Sequence, residues 1–328
     1  MRDILAALIV LVALTTPATA AGFQPISIPD PGNPDLEAGV WYPSAARPTP
    51  IPLGLDDQTV ALNKPVSGQN LPLIVMSHGT GGWYGSHADT AIALAAAGFV
   101  VVAVTHTGDN FRDQSRVFRI AERAGHLHAA IDYMLTSWLD HAAIDPTRIG
   151  VFGFSAGGFT ALVAIGGHAD FSLIGPHCAA HPSEWTCNLM RENGVNPGAV
   201  VSPAPIYWDH DSRIRAAVVA APALGYAFGR EGLAGITVPI QLWRGEADQI
   251  LPNPYYAQAV ADNLPTPPEY HVVPLAGHFS FLAPCGNGLR QAYPIICTDA
   301  PGFDRTAFHQ QFNADVIAFF RKTLGPAR

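Results

Sequence analysis

The stretch Arg148-Ile149-Gly150-Val151-Phe152-Gly153-Phe154-Ser155-Ala156-Gly157 decides the fold. Ile149–Phe152 is apolar without alternation, as a strand buried on both faces requires. Small and apolar residues follow from Gly157 to Ile165 and read as a helix. Between them stands Gly153-Phe154-Ser155-Ala156-Gly157, a G-x-S-x-G. In a strand–turn–helix setting that pattern describes a sharp turn projecting one serine hydroxyl above a sheet edge. Bulky side chains two positions either side would clash, and the helix N-terminus beneath favours developing negative charge.

Working outward, the alternation repeats. Leu71–Met76, Phe99–Val104, Arg148–Phe154, Ala216–Ala221, Ile240–Arg244 and Glu269–Pro274 read as strands. Helical stretches at Asp89–Ala97, Arg116–Leu139, Gly157–Ile165 and Phe303–Leu324 lie among them. Strands alternating with helices imply an α/β fold, a mostly parallel sheet covered on both faces. Phe23–Ile28 and Glu37–Tyr42 read as antiparallel edge strands, and Asp56–Asn70 as a loop. Residues 166–213 break the pattern with Pro, His, Cys and Trp of no clear period, and read as an insertion over the sheet after the serine's helix. It is a lid over the site or a surface excursion.

A serine hydroxyl needs a base, and the base an acid to fix its tautomer. Of thirteen histidines, His278 in Leu275-Ala276-Gly277-His278-Phe279 is favoured, because it follows the last strand. A doubly wound sheet presents its site on loops after strand C-termini. His271 lies inside a strand. Asp248 follows Ile240–Arg244 and is the expected acid, with Glu246 and Asp211 as rivals. The order Ser155, Asp248, His278 is the one this fold class requires.

The oxyanion needs two backbone N–H donors. Ala156, next after the serine, supplies one. The loop Ser77-His78-Gly79-Thr80-Gly81-Gly82 supplies the other, from Thr80 or alternatively Gly81. Trp83 and Tyr84 follow that loop and are candidates for contacting the substrate, or else packing aromatics. His106 and Asp109 follow another strand and read as a pair that fixes a loop.

Together, the quintet at Ser155, the Ser77–Gly82 loop, the Gly245–Pro252 segment and Gly277-His278 resemble the α/β-hydrolase superfamily. Val40-Trp41-Tyr42-Pro43 and the His-Gly-x-Gly-Gly loop are similar to bacterial dienelactone-hydrolase-like and platelet-activating-factor-acetylhydrolase-like esterases. The resemblance spans nearly all of the chain past residue 20. It implies a central, mostly parallel sheet and hydrolysis of carboxylic esters, small or lipid-like, without cofactor or metal. Dienelactone hydrolases carry a cysteine nucleophile where this chain has Ser155. A lipase or polyester hydrolase would use the same triad, and a non-catalytic binding protein could share the fold.

The 328 residues are 48% hydrophobic and 13% charged, enough apolar material for a large core. The net charge of −8, with no Lys/Arg run, argues against nucleic acid as a partner. Arg2, the apolar run Ile4–Leu14 and Ala18-Thr19-Ala20 have the order of a secretory signal peptide, so residues 1–20 are expected to be cleaved. Residues 21–328 would form the hydrolase domain, secreted or periplasmic. Gly, Pro or charge interrupts each later apolar run, so no membrane anchor is expected. Four cysteines allow three pairings. Proximity favours Cys178–Cys187 and Cys285–Cys297 over a metal site with His177 and His181.

Overall fold

A computed structural model describes residues 20–200 and 210–325. The expected signal peptide lies almost wholly outside them. The strands are β1 (Ala20–Ile28), β2 (Leu36–Ser44), β3 (Thr49–Leu53), β4 (Asp56–Leu62), β5 (Leu71–Ser77), β6 (Val100–Val104), β7 (Ile144–Phe154), β8 (Ile214–Ala220), β9 (Ile240–Gly245) and β10 (Glu269–Val273). They form one sheet in the order β10-β9-β8-β7-β5-β6-β2-β1-β4-β3. From β10 to β6 every pairing is parallel, and β6, β2 and β1 continue antiparallel.

The parallel strands alternate between two cores. Leu73 and Val75 of β5 and Val100, Val102 and Val104 of β6 pack in one, with the helix α2 (Arg123–Thr136). Ile74, Met76, Val101 and Ala103 point the other way, toward the helix α1 (Ala88–Ala96) and the C-terminal helix Arg305–Thr323. That two-residue period on a strand without exposed positions explains the continuous apolar runs.

Three expectations are corrected. The strands β1 and β2 are not edges. The hairpin β3–β4 covers them, and β4 occupies the segment read as a loop. Its pattern is masked because Gln58 is buried, accepting a hydrogen bond from Trp41 Nε1 at 2.9 Å. The true edge, β3, carries Pro50 and Pro52, which cannot donate to a further strand. The helix expected from Arg116 begins instead at Arg123, as α2 (Arg123–Thr136). Upstream, the Arg116 amide donates to Gly108 O at 2.7 Å, with Gly108 at φ 73°, so the chain folds back on itself before becoming helical.

After β7 comes α3 (Ala156–Ala164), and in the 166–213 segment α4 (Ile174–Ala180) and α5 (Trp185–Glu192). Cys178 on α4 and Cys187 on α5 are bonded, with Cα atoms 5.5 Å apart. Cys285 and Cys297 are bonded with a Cα separation of 5.8 Å. Among the described residues, no helix is long and apolar enough to cross a membrane.

Candidate active site

Ser155 occupies the turn between β7 and α3 at φ 56°, ψ −118°. Such a backbone is costly for a residue with a Cβ and persists only where the surroundings enforce it. The surroundings here are very tight. A Cβ on Gly153 would lie 2.0 Å from Gly157 O, and one on Gly157 would lie 2.0 Å from Ser77 O. Both flanking positions must therefore be glycine. The Ser155 amide donates to Ala220 O at 2.9 Å, and its carbonyl accepts from Ala223 N at 2.9 Å. The turn is thus tied to the end of β8.

The loops after β9 and β10 converge on it. His278 Nε2 lies 2.9 Å from Ser155 Oγ, and His278 Nδ1 lies 2.8 Å from Asp248 Oδ2. The other carboxylate oxygen, Asp248 Oδ1, accepts from the amides of Ile250 at 2.9 Å and Leu251 at 2.8 Å. A neutral imidazole donating from Nδ1 to the carboxylate leaves Nε2 free to accept the serine proton. All three side chains are buried, so these contacts lie in a low dielectric. Phe154 supports the His278 ring, their centroids 4.8 Å apart.

The rival acids lie elsewhere. Glu246 is exposed. Asp211 is bonded to Arg213 at 2.6 Å and 2.8 Å and faces His128. His271 stacks on Trp243, centroids 3.9 Å apart, on the strand β10.

The loop after β5 flanks the serine. A Cβ on Gly79 would fall 3.2 Å from Ser155 Cβ. Thr80 and Ser155 line one cavity. The amide of Gly81, the alternative donor, is occupied by Asp109 Oδ1 at 2.9 Å. Thr80 lines the cavity beside Ser155, and Ala156 is the first residue of α3. Trp83 and Tyr84, candidates for substrate contact or for packing, are not among the residues that line this cavity. The Trp83 ring lies against Gly54, Gly85 and Phe111, and Tyr84 against Gly39 and Trp41.

The walls come from residues that the sequence did not single out. Val117, Phe118 and Ile120, short of α2, form one side. Ile174 of α4 and Leu189 and Met190 of α5 form the other, giving a cavity of about 110 Å³ with no charged side chain among the described residues of its lining. Their signal was the helix-spaced apolar residues of α5. His177, weighed as a metal ligand, bonds Glu184 at 2.8 Å and stacks on Tyr226.

Beneath the Ser77–Gly82 loop lies a buried polar network. His106 Nε2 meets Ser77 Oγ at 2.8 Å, and His106 Nδ1 meets His126 Nδ1 at 3.0 Å. The His106 amide donates to His78 Nε2 at 3.1 Å. His78 and His106 are held well below the ordinary histidine value, and His126 at about 4, in each case first by burial. All three are therefore neutral at pH 7, sharing the space with Arg123.

Comparison with known proteins agrees with this architecture. A model of the prolyl oligopeptidase family matches residues 86–178, which include Ser155 but not Asp248 or His278. A ferulic acid esterase from Streptomyces cinnamoneus superposes with a TM-score of 0.63 at 20% identity, over 95% of this chain and 92% of that one. Among curated proteins no relative matches. Solved structures matching the chain number 964, so the fold is shared too widely to name an activity. By its sheet order, its Ser155 turn and this superposition, the chain has the α/β-hydrolase fold.

Proposed function

We propose that the chain is a serine hydrolase of carboxylic esters whose acyl group is small and apolar. The observation that carries the reading is the unbroken relay from Ser155 Oγ through His278 to Asp248, with gaps of 2.9 Å and 2.8 Å. In the proposed reaction the Ser155 hydroxyl proton passes to His278 Nε2 as Oγ bonds the acyl carbon. The amides of Thr80 and Ala156 hold the resulting oxyanion. Collapse breaks the ester C–O bond, and His278 returns the proton to the leaving alkoxide. A water molecule then gives a proton to His278 and attacks the acyl-enzyme. Breaking the bond to Ser155 releases the acid and restores the hydroxyl. Asp248 stays ionised and stabilises the imidazolium in both halves.

The cavity supports the substrate class. Among the described residues its lining is apolar apart from hydroxyl and indole groups, and offers an anion or cation no charged partner. Walls from α4 and α5 favour a discrete small-molecule ester over a polymer lying in an open groove. The two disulfides support a place in an oxidising compartment.

The test is labelling and turnover together. A fluorophosphonate probe is expected to modify the folded chain at Ser155 only, and nitrophenyl butyrate to be hydrolysed faster than nitrophenyl laurate. An unlabelled chain, or a Ser155→Ala variant with wild-type turnover, overturns the reading.

A further inference from the structure

Arg123 is out of place by every measure of burial. It opens α2, a helix otherwise rich in Ala, Leu and His, and its side chain is 3% exposed. Burial pulls its guanidinium down to about 10, opposed by Asp109. Its Nε finds no partner among the described residues. An ion pair buried this way is a poor source of stability, since apolar residues of the same size commonly do as well or better. Its contacts suggest a different use.

Arg123 Nη1 donates to Asp109 Oδ2 at 3.1 Å, and Arg123 Nη2 donates to the His78 carbonyl. Asp109 Oδ1 in turn accepts the Gly81 amide at 2.9 Å. One ion pair thus grips the Ser77–Gly82 loop on both sides of Gly79-Thr80. Two further bonds close the same segment: His78 Nδ1 donates to Gly79 O at 2.6 Å, and Gly82 N donates to Gly79 O at 3.1 Å. Gly81 sits at φ 68°, a conformation that the Asp109 contact holds. The one peptide left between the two grips is the one carrying the Thr80 amide.

We propose that Arg123 and Asp109 are positioning residues for the oxyanion hole, clamping the loop so that the Thr80 N–H points to where the oxyanion forms. The proposal rests on the reading of Ser155 as an ester-cleaving nucleophile. An amide aimed in advance acts on charge that develops only in the transition state. The clamp therefore acts on kcat, while the apolar walls govern KM.

Two double variants test this, each free of an unpaired buried charge. Asp109→Leu with Arg123→Met removes both grips. Asp109→Asn with Arg123→Met keeps an amide oxygen for Gly81. The readouts are thermal melting, kcat and KM on nitrophenyl butyrate, and inhibition by an alkyl boronic acid, which mimics the tetrahedral state. In the first variant kcat is expected to fall by about 10²-fold, the size of one lost oxyanion donor. KM should stay within about twofold, and boronate affinity should weaken in step with kcat/KM. The second should recover about tenfold of the loss, an effect of one neutral hydrogen bond. A purely structural pair would lower melting in both without separating kcat from KM. Folded variants with wild-type kcat, or with a loss in KM alone, overturn the clamp. A wild-type chain that neither labels at Ser155 nor hydrolyses the ester overturns the hydrolase reading instead, and the clamp with it.

Discussion

The two walls that meet at Ser155 are made of opposite materials. On one side, the Ser77–Gly82 loop rests on an ion pair, three neutral imidazoles and a serine hydroxyl, all hydrogen-bonded. On the other, α4 and α5 present Ile174, Leu189 and Met190, held by a disulfide. The difference follows from what each wall must do. A donor aimed at a developing charge loses its value within a fraction of an ångström, and directional bonds fix it best. An acyl chain asks only for apolar volume, which packed side chains supply without direction. On the proposed reading, chemistry is concentrated on one side and selectivity on the other, and each should be alterable alone.

The largest effect should fall on the relay. Asp248→Asn keeps the shape but favours the wrong His278 tautomer, and kcat is expected to drop about 10⁴-fold with little change in KM. Steady-state kinetics on nitrophenyl butyrate checks this. A loss below about tenfold would mean that Asp248 does not orient the base.

Acid should attack the polar wall first. His126 is held at about 4, against an ordinary 6.5, chiefly by burial. For groups depressed in this way the unfolded chain binds protons more readily, so their contribution is present above about pH 6.5 and is lost as pH falls toward 4. Denaturant melts across that window should lose on the order of 2–3 kcal/mol per histidine at most. A His126→Gln variant should show a shallower slope, and an unchanged slope would exclude His126 as a contributor.

The apolar wall should respond to its staple. Replacing Cys178 and Cys187 by Ser reopens a loop of nine residues' separation, costing about 2–3 kcal/mol in the chain-entropy account. Urea titration measures it. Turnover of nitrophenyl acetate should survive in the fraction that stays folded.

The smallest effect sharpens the contrast most. Met190→Ala deepens the cavity away from the relay. The ratio of kcat/KM for octanoate over butyrate should rise by about tenfold, on the scale of one or two methylenes. A fall in acetate turnover of similar size would show that the walls are not separable.

The parts legible in the sequence were those fixed locally. The strands β5 to β9 announced themselves as apolar runs between Gly, Pro and charge, because their central residues are covered on both faces, whereas β10 is an edge strand without a buried position. Ser155, Asp248 and His278 stood out because each follows a strand. The hairpin β3–β4 escaped notice because its alternation is broken by Gln58, whose partner Trp41 is 17 residues away. Trp83 and Tyr84 sat next to the right loop in sequence, yet their direction depends on Gly54, Phe111 and Trp41. Arg123 was not singled out, since its contacts to Asp109 and the His78 carbonyl arise only where α2 meets the loop after β5. Local pattern reports secondary structure, and tertiary crossing decides which side chains meet.

The left-handed turn at Ser155 also restricts which side chain can stand there and so, on the proposed reading, which atom can attack. At φ 56° a side chain branched at Cβ would strike its own backbone. Threonine carries the same hydroxyl but should be barred, whereas cysteine, unbranched, should fit the turn with a thiol. The choice of nucleophile on this scaffold is narrowed first by the shape of one dihedral and only then by reactivity.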